Sequence, residues 1–140
     1  MFKTILVAVD GSTGSERILL FAEHVARVES AQLMVVHAYQ LPTEYEWTPS
    51  YAALIEQFEA IANEVVQDAL DVLGEAGVQA VGDVRQGPAA EAILAAARIH
   101  QADLIIMGSR ADRGPVAEAL LGSVSATVLR HSICPVLVVP

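Results

Sequence analysis

The chain carries a single cysteine, Cys134, in 140 residues. That count excludes an internal disulfide and a cysteine-rich zinc site. No apolar run approaches the ~18 residues a membrane-spanning helix needs. The first apolar stretch, Ile5-Leu6-Val7-Ala8-Val9, is too short for a secretory signal and runs straight into Asp10-Gly11. Positive charge is scarce: eight Lys plus Arg stand against 17 Asp plus Glu, for a net charge of −9. Long nucleic acids and anionic membranes are poor partners for such a chain. Three motifs are also missing: a Walker A Gly-Lys-Ser/Thr, a Gly-x-Gly-x-x-Gly and a Gly-x-Ser-x-Gly. No catalytic base is marked by a local signature, so the chain is not expected to be an enzyme. No repeat or composition shift divides it. Residues 1–140 are expected to form one domain of a soluble, cytoplasmic protein.

What is present is a well-packed composition, 54 % apolar and only 18 % charged. A chain of this length buries roughly two thirds of the surface its unfolded form exposes. Five short apolar runs punctuate it. The first covers residues 5–9, the second Leu33-Met34-Val35-Val36, the fourth Leu104-Ile105-Ile106-Met107 and the last Val136-Leu137-Val138-Val139. Their β-branched bias and short length read as strands buried on both faces. The third run, over residues 78–85, carries Gly82, Asp83 and Arg85 and reads as an exposed strand near a sheet edge. Helical periodicity fills the gaps. Ile18, Leu19, Ala22, Val25 and Ala26 predict a first helix capped by Ser12 or Thr13. Residues 51–75 predict a long second helix with one wide apolar face from Leu54 and Ile55 through Phe58 and Ile61 to Leu73, stopped by Gly77. A third helix opens at Pro88 or Ala89, and residues 124–131 predict a fourth. Strict alternation of strand and helix implies an α/β fold, a parallel sheet with helices on both faces.

In such sheets ligands bind beyond the carboxyl ends of the strands. Two segments there can carry chemistry. Gly108-Ser109-Arg110, with Gly114 and then Gly122-Ser123, can cradle a phosphate on backbone N–H groups, or can be an ordinary strand-to-helix loop with a Ser cap. Asp10 can accept hydrogen bonds from a base or ribose, or can be a turn residue, since Asp-Gly favours tight turns. The four histidines are scattered, and His131 with Cys134 makes two ligands and no site. Cys134, before a proline and a buried strand, reads as a small core residue. Glu56, Glu59, Glu64, Asp68, Asp71 and Glu75 read as the solvated face of the long helix. Tyr45, Trp47 and Tyr51 lie in or beside a proline-bearing connection and are expected to anchor it rather than to close over a pocket.

Three stretches taken together resemble the universal stress protein family. They are Ile5-Leu6-Val7-Ala8-Val9-Asp10-Gly11-Ser12, Ala102-Asp103-Leu104-Ile105-Ile106-Met107-Gly108-Ser109-Arg110, and Leu121-Gly122-Ser123-Val124-Ser125 with Cys134-Pro135-Val136-Leu137-Val138-Val139. His37-Ala38 and Gly87-Pro88-Ala89 fit the same pattern, so the resemblance spans the whole chain. It implies a doubly wound five-stranded parallel sheet of strand order 3-2-1-4-5. It further implies an ATP or AMP site, with or without Mg2+, in which Ala8 and Ala38 line the adenine pocket, Asp10 lies beside base and ribose, and Met107 closes the floor. Gly108, Gly122, Ser123, Val124 and Ser125 would hold ribose and phosphates.

The chain departs from the family's nucleotide signature, Gly-x2-Gly-x9-Gly-Ser/Thr. Ala111 replaces the second glycine, ten residues separate it from Gly122, and Asp112 adds a carboxylate. Gly114 offers a compensating close approach, and Arg110 and Arg113 can pair with phosphates. Two readings follow: a stress-response regulator that binds ATP or AMP with at most slow ATP hydrolysis, and a homodimer that binds no nucleotide and acts as an interaction protein. A nucleotide-hydrolase relative would want a Ser-Gly-Gly-x-Asp-Ser loop, of which Asp10-Gly11-Ser12-Thr13-Gly14-Ser15 is a faint echo. The last strand, apolar and at a sheet edge in that order, invites pairing with a second copy. The acidic helix or the connection before it can meet an unidentified protein partner.

Overall fold

All five runs become strands. The computed structural model describes residues 1–109 and 121–140. Its strands are β1 (Thr4–Ala8), β2 (Gln32–Tyr39), β3 (Ala80–Gln86), β4 (Leu104–Gly108) and β5 (Val136–Val139). They form one sheet in the order β3-β2-β1-β4-β5, and every pair is parallel. The described helices are α1 (Ser15–Glu29), α2 (Tyr51–Glu75), α3 (Ala89–Ile99) and α4 (Ser123–His131). Strand periodicity explains why the central runs are apolar throughout. Ile5, Val7 and Val9 point to one face with Leu33 and Val35, under α1 and α2. Leu6 and Ala8 point to the other with Met34 and Val36, under α3 and α4. Ile5, Leu6, Leu33, Ile105 and Ile106 are wholly buried, each stabilising the fold by about 1.5–3 kcal/mol. Among the described residues no helix is long and apolar enough to cross a membrane.

Several local expectations hold and several do not. Gly77, at φ +80°, ends α2 in a Schellman motif: Val78 N–H bonds Leu73 O at 2.9 Å and Gly77 N–H bonds Gly74 O at 3.0 Å. Pro88 stands at the N-cap of α3. β3 is an edge strand, half exposed, as its polar residues suggested. Neither Ser12 nor Thr13 caps α1 through its side chain. The helix starts at Ser15 after Gly14, just past the turn in which Asp10 accepts the Ser12 N–H and Ser15 N–H bonds Ser12 O. The apolar face of α2 is narrower than its periodicity suggested. Ile61 is 61 % exposed, and full burial begins only at Ala62. A helix of 25 residues is about 37 Å long, more than the strands beneath it. It reaches Tyr39, the last residue of β2, at Glu59, so its first two turns project past the strand ends. Trp47 is 84 % exposed and anchors nothing. The connection turns through a short 3-10 segment, Thr43–Tyr45, and Thr48 Oγ1 bonds Tyr45 O at 2.7 Å. Its own backbone holds its shape, with no aromatic anchor at Trp47.

Candidate functional site

The chain leaves β1 toward one side of the sheet and β4 toward the other, and a crevice opens between their carboxyl ends. A cavity of about 380 Å³ lies there. The residues expected from the sequence converge on it: Ala8 and Asp10 from the end of β1, Ala38 from β2, Met107 and Gly108 from β4, Val124 and Ser125 from the first turn of α4. Val36 and Ile93 complete an apolar floor. Gly122 and Ser123 are not among the lining residues. Gly122 is the N-cap of α4, its N–H bonding Ser109 O at 3.0 Å, and Ser123 is exposed. Arg110 and Arg113 lie outside the described residues, with Ala111, Asp112 and Gly114.

The strand ends that carry the site are cross-tied. Val9 N–H bonds Val36 O at 3.0 Å, and His37 Nδ1 donates to Val9 O at 2.8 Å. Ser109 N–H bonds Val139 O at 2.9 Å, and Ser109 O holds Gly122. The start of α4 is thereby fixed to the ends of β4 and β5. The N–H groups of Ser123, Val124 and Ser125 belong to its first turn, where a helix has no internal acceptors for them. An anion there would also meet the positive end of the helix dipole.

The turn reading of Asp10 holds. Its Oδ1 accepts the Ser12 N–H at 2.9 Å and the Ser15 hydroxyl at 3.2 Å, which is an Asx turn. The same carboxylate is exposed and lines the cavity. Gly108 has a packing reason as well: a Cβ there would lie 3.1 Å from Ile18 Cδ1, so its absence lets α1 approach β4. Buried Ser125 donates its hydroxyl to Gly122 O at 3.2 Å and closes its own helix turn. Met107 and Ala8 are buried in the floor, and Ala38 is half-buried at the wall. Beside it, Tyr39 is held above the usual value of 10.0, first by desolvation and then by the charge and hydrogen bond of Glu59. Among the described residues no group of three or more His, Cys, Asp or Glu could hold a metal ion.

Among the lining residues that escaped the sequence reading, one is charged. Arg17, in the first turn of α1, borders the cavity with Ser12, Thr13 and Gly14. The signal was available: a first helical turn after β1 must lie at the carboxyl edge of the sheet.

Comparison with known proteins agrees with this architecture. A sequence model described as the universal stress protein family matches residues 1–140. A universal stress protein encoded in the QAH/OAS sulfhydrylase 3'region of Thermus aquaticus is 40 % identical over 139 residues, covering 99 % of each chain. A crystal structure from the universal stress protein family of Burkholderia pseudomallei superposes with a TM-score of 0.77 at 29 % identity, covering 99 % of this chain and 96 % of that one. A universal stress protein described in complex with cAMP superposes with a TM-score of 0.78 at 27 % identity, covering 99 % and 97 %. The whole length of the match, the strand order and the identity to curated relatives agree: the chain belongs to the universal stress protein family.

Proposed function

We propose that the cavity binds an adenine nucleotide, ATP or AMP, and that occupancy of the site is how the protein acts as a stress-response regulator. The observation that carries this reading is the convergence of an apolar slot, an oriented carboxylate and a helix N-terminus in one cavity. Ala8, Val36, Ala38, Ile93 and Met107 offer walls that would shed water from a flat base. Asp10 has the acceptor chemistry for a ribose hydroxyl, and the first turn of α4 has donors for phosphate oxygens. The cAMP complex of a related protein supports the ligand class. A Mg2+ ion accompanying the nucleotide would rest mainly on phosphate oxygens, as Mg2+ commonly does.

Calorimetric titration with ATP and with AMP tests the reading, and absence of heat and of a thermal shift at millimolar nucleotide would remove it. Gly122→Val supplies the matched control. Gly122 has extended backbone, φ −64° and ψ 161°, which valine tolerates. Gly122 is buried at the N-cap of α4, so thermal unfolding checks that the variant is folded; a folded variant should lose binding, because a side chain there crowds the first turn of α4 that lines the cavity. Retained binding in a folded variant would put the phosphate contact away from the start of α4.

We further propose a symmetric homodimer formed through β5. That strand is at the edge of the sheet, and Ile133 just before it is 81 % exposed. If the titrations are silent, this dimer acting as an interaction protein is the reading that remains. Light scattering at micromolar concentration would refute the dimer by giving a monomer mass.

A further inference from the structure

Of the described residues that line the cavity, two carry charged side chains, Asp10 and Arg17. They differ in how they are held. Asp10 is fixed by the Ser12 N–H and the Ser15 hydroxyl. Arg17 is exposed and forms no ion pair with any described residue. The sequence around it explains why. The positions three and four residues away on α1 are Thr13, Gly14, Leu20 and Phe21, none of them acidic. Arg27, ten residues later on the same helix, has Glu23 at that spacing and bonds it at 2.8 Å. In a chain of net charge −9, an arginine without a helix partner at a cavity mouth is an available anion contact. It faces the site from α1, on the opposite side of the sheet from the N-terminus of α4.

We infer that Arg17 reads the phosphate charge of the ligand and makes the site prefer nucleoside triphosphate over monophosphate and over nucleoside. This rests on the nucleotide reading above and goes further, because that reading leaves ATP and AMP equivalent. The guanidinium offers paired N–H donors to phosphate oxygens, and a longer phosphate chain presents it with more charge and more acceptors. An exposed contact of this kind lies between a surface ion pair and a charge-assisted hydrogen bond. About tenfold in affinity between ATP and AMP is the scale to expect.

The test is calorimetry of adenosine, AMP and ATP, without added divalent cation, on the wild type, Arg17→Gln and Arg17→Lys. Thermal unfolding checks that each variant is folded. The expected result is an affinity order ATP, AMP, adenosine in the wild type, with the ATP-to-AMP ratio falling roughly tenfold in Arg17→Gln and partly kept in Arg17→Lys. The wild-type ratio should also shrink in 0.5 M salt as the Debye length falls to about 4 Å. Equal wild-type affinities, or an Arg17→Gln ratio like that of the wild type, would overturn the role of Arg17 while leaving nucleotide binding intact. A wild type that binds none of the three would overturn the nucleotide reading, and this inference with it.

Discussion

Two glycines with nearly the same positive φ and different surroundings allow the packing of the site turn to be measured. Gly11 has φ +83° and Gly77 has φ +80°. A Cβ added at Gly77 meets nothing within 4 Å, whereas one at Gly11 meets Val65 Cγ2 at 3.1 Å and Cγ1 at 3.6 Å. The left-handed region costs an L-residue about 1–2 kcal/mol. Alanine recovers about 0.4–1 kcal/mol of that by restricting the unfolded chain. Gly77→Ala should therefore destabilise by about 1 kcal/mol. Gly11→Ala should cost the same and about 1 kcal/mol more, for pushing a methyl against Val65. At this chain length each kcal/mol lowers the melting temperature by about 3–4 °C. The decisive measurement is urea unfolding of both variants in the native and Val65→Ala backgrounds. Val65→Ala should close the gap between them, since it removes the crowding and leaves the backbone strain. Equal losses in the native background, or a gap that survives Val65→Ala, would refute the reasoning. Gly11 also follows Asp10, so its variant alone of the two should weaken nucleotide binding.

Other outcomes follow from single contacts. Gln101 terminates α3 at φ +53° in the same hydrogen-bond pattern that Gly77 serves in α2, so Gln101→Gly should raise stability by about 0.5–1 kcal/mol, read by thermal melting. Asp103 accepts the Lys3 N–H at 2.8 Å and the Thr4 N–H at 3.2 Å. Asp103→Ala should cost about 1–2 kcal/mol in urea unfolding, because both donors at the start of β1 lose their acceptor. Tyr39 is raised above its ordinary value of 10.0. Its protonated form is favoured by folding, so this contribution is intact below about pH 10 and lost as pH rises through the folded value. Wild type should lose stability more steeply than Tyr39→Phe above that pH; parallel curves would show that folding does not raise the phenol.

The sheet was legible because its strands are short, apolar and separated by helices, a pattern that leaves few topologies. The strand order came from the resemblance, since alternation alone does not fix which strand neighbours which. The errors fall where one residue does two jobs or where periodicity outruns burial. Ile61 keeps the helical spacing of its neighbours, yet α2 is longer than the layer it covers, and no pattern along a helix reports the length of its partner. Trp47 was expected to pack because large aromatics usually do, but a turn closed by its own hydrogen bonds needs no aromatic anchor. Asp10 reads from the sequence as a turn residue or a ligand contact; in the structure one oxygen builds the turn, and the residue also lines the cavity. Arg17 was passed over because a lone basic residue on an amphipathic helix reads as surface until the helix start is known.

Net charge says little about whether a chain can hold one small anion, and its distribution here explains why. Residues 28–84 hold ten acidic and no Lys or Arg side chains, while residues 85–140 hold five Arg against four acids. Six of the ten, Glu56, Glu59, Glu64, Asp68, Asp71 and Glu75, are exposed on α2, and none of the ten lines the cavity. At physiological ionic strength an exposed charge is largely screened beyond about 8 Å. A phosphate in the crevice would answer first to Asp10, Arg17 and the start of α4, and only weakly to the outer face of a helix whose inner face packs on the sheet. The same arithmetic separates ligand from partner. A long polyanion must span the surface and meet the α2 acids, whereas a single nucleotide does not. Acidity of the whole chain and an anion site at the ends of β1 and β4 are therefore compatible, and salt should weaken the second by screening Arg17 without removing the apolar slot that would take the base.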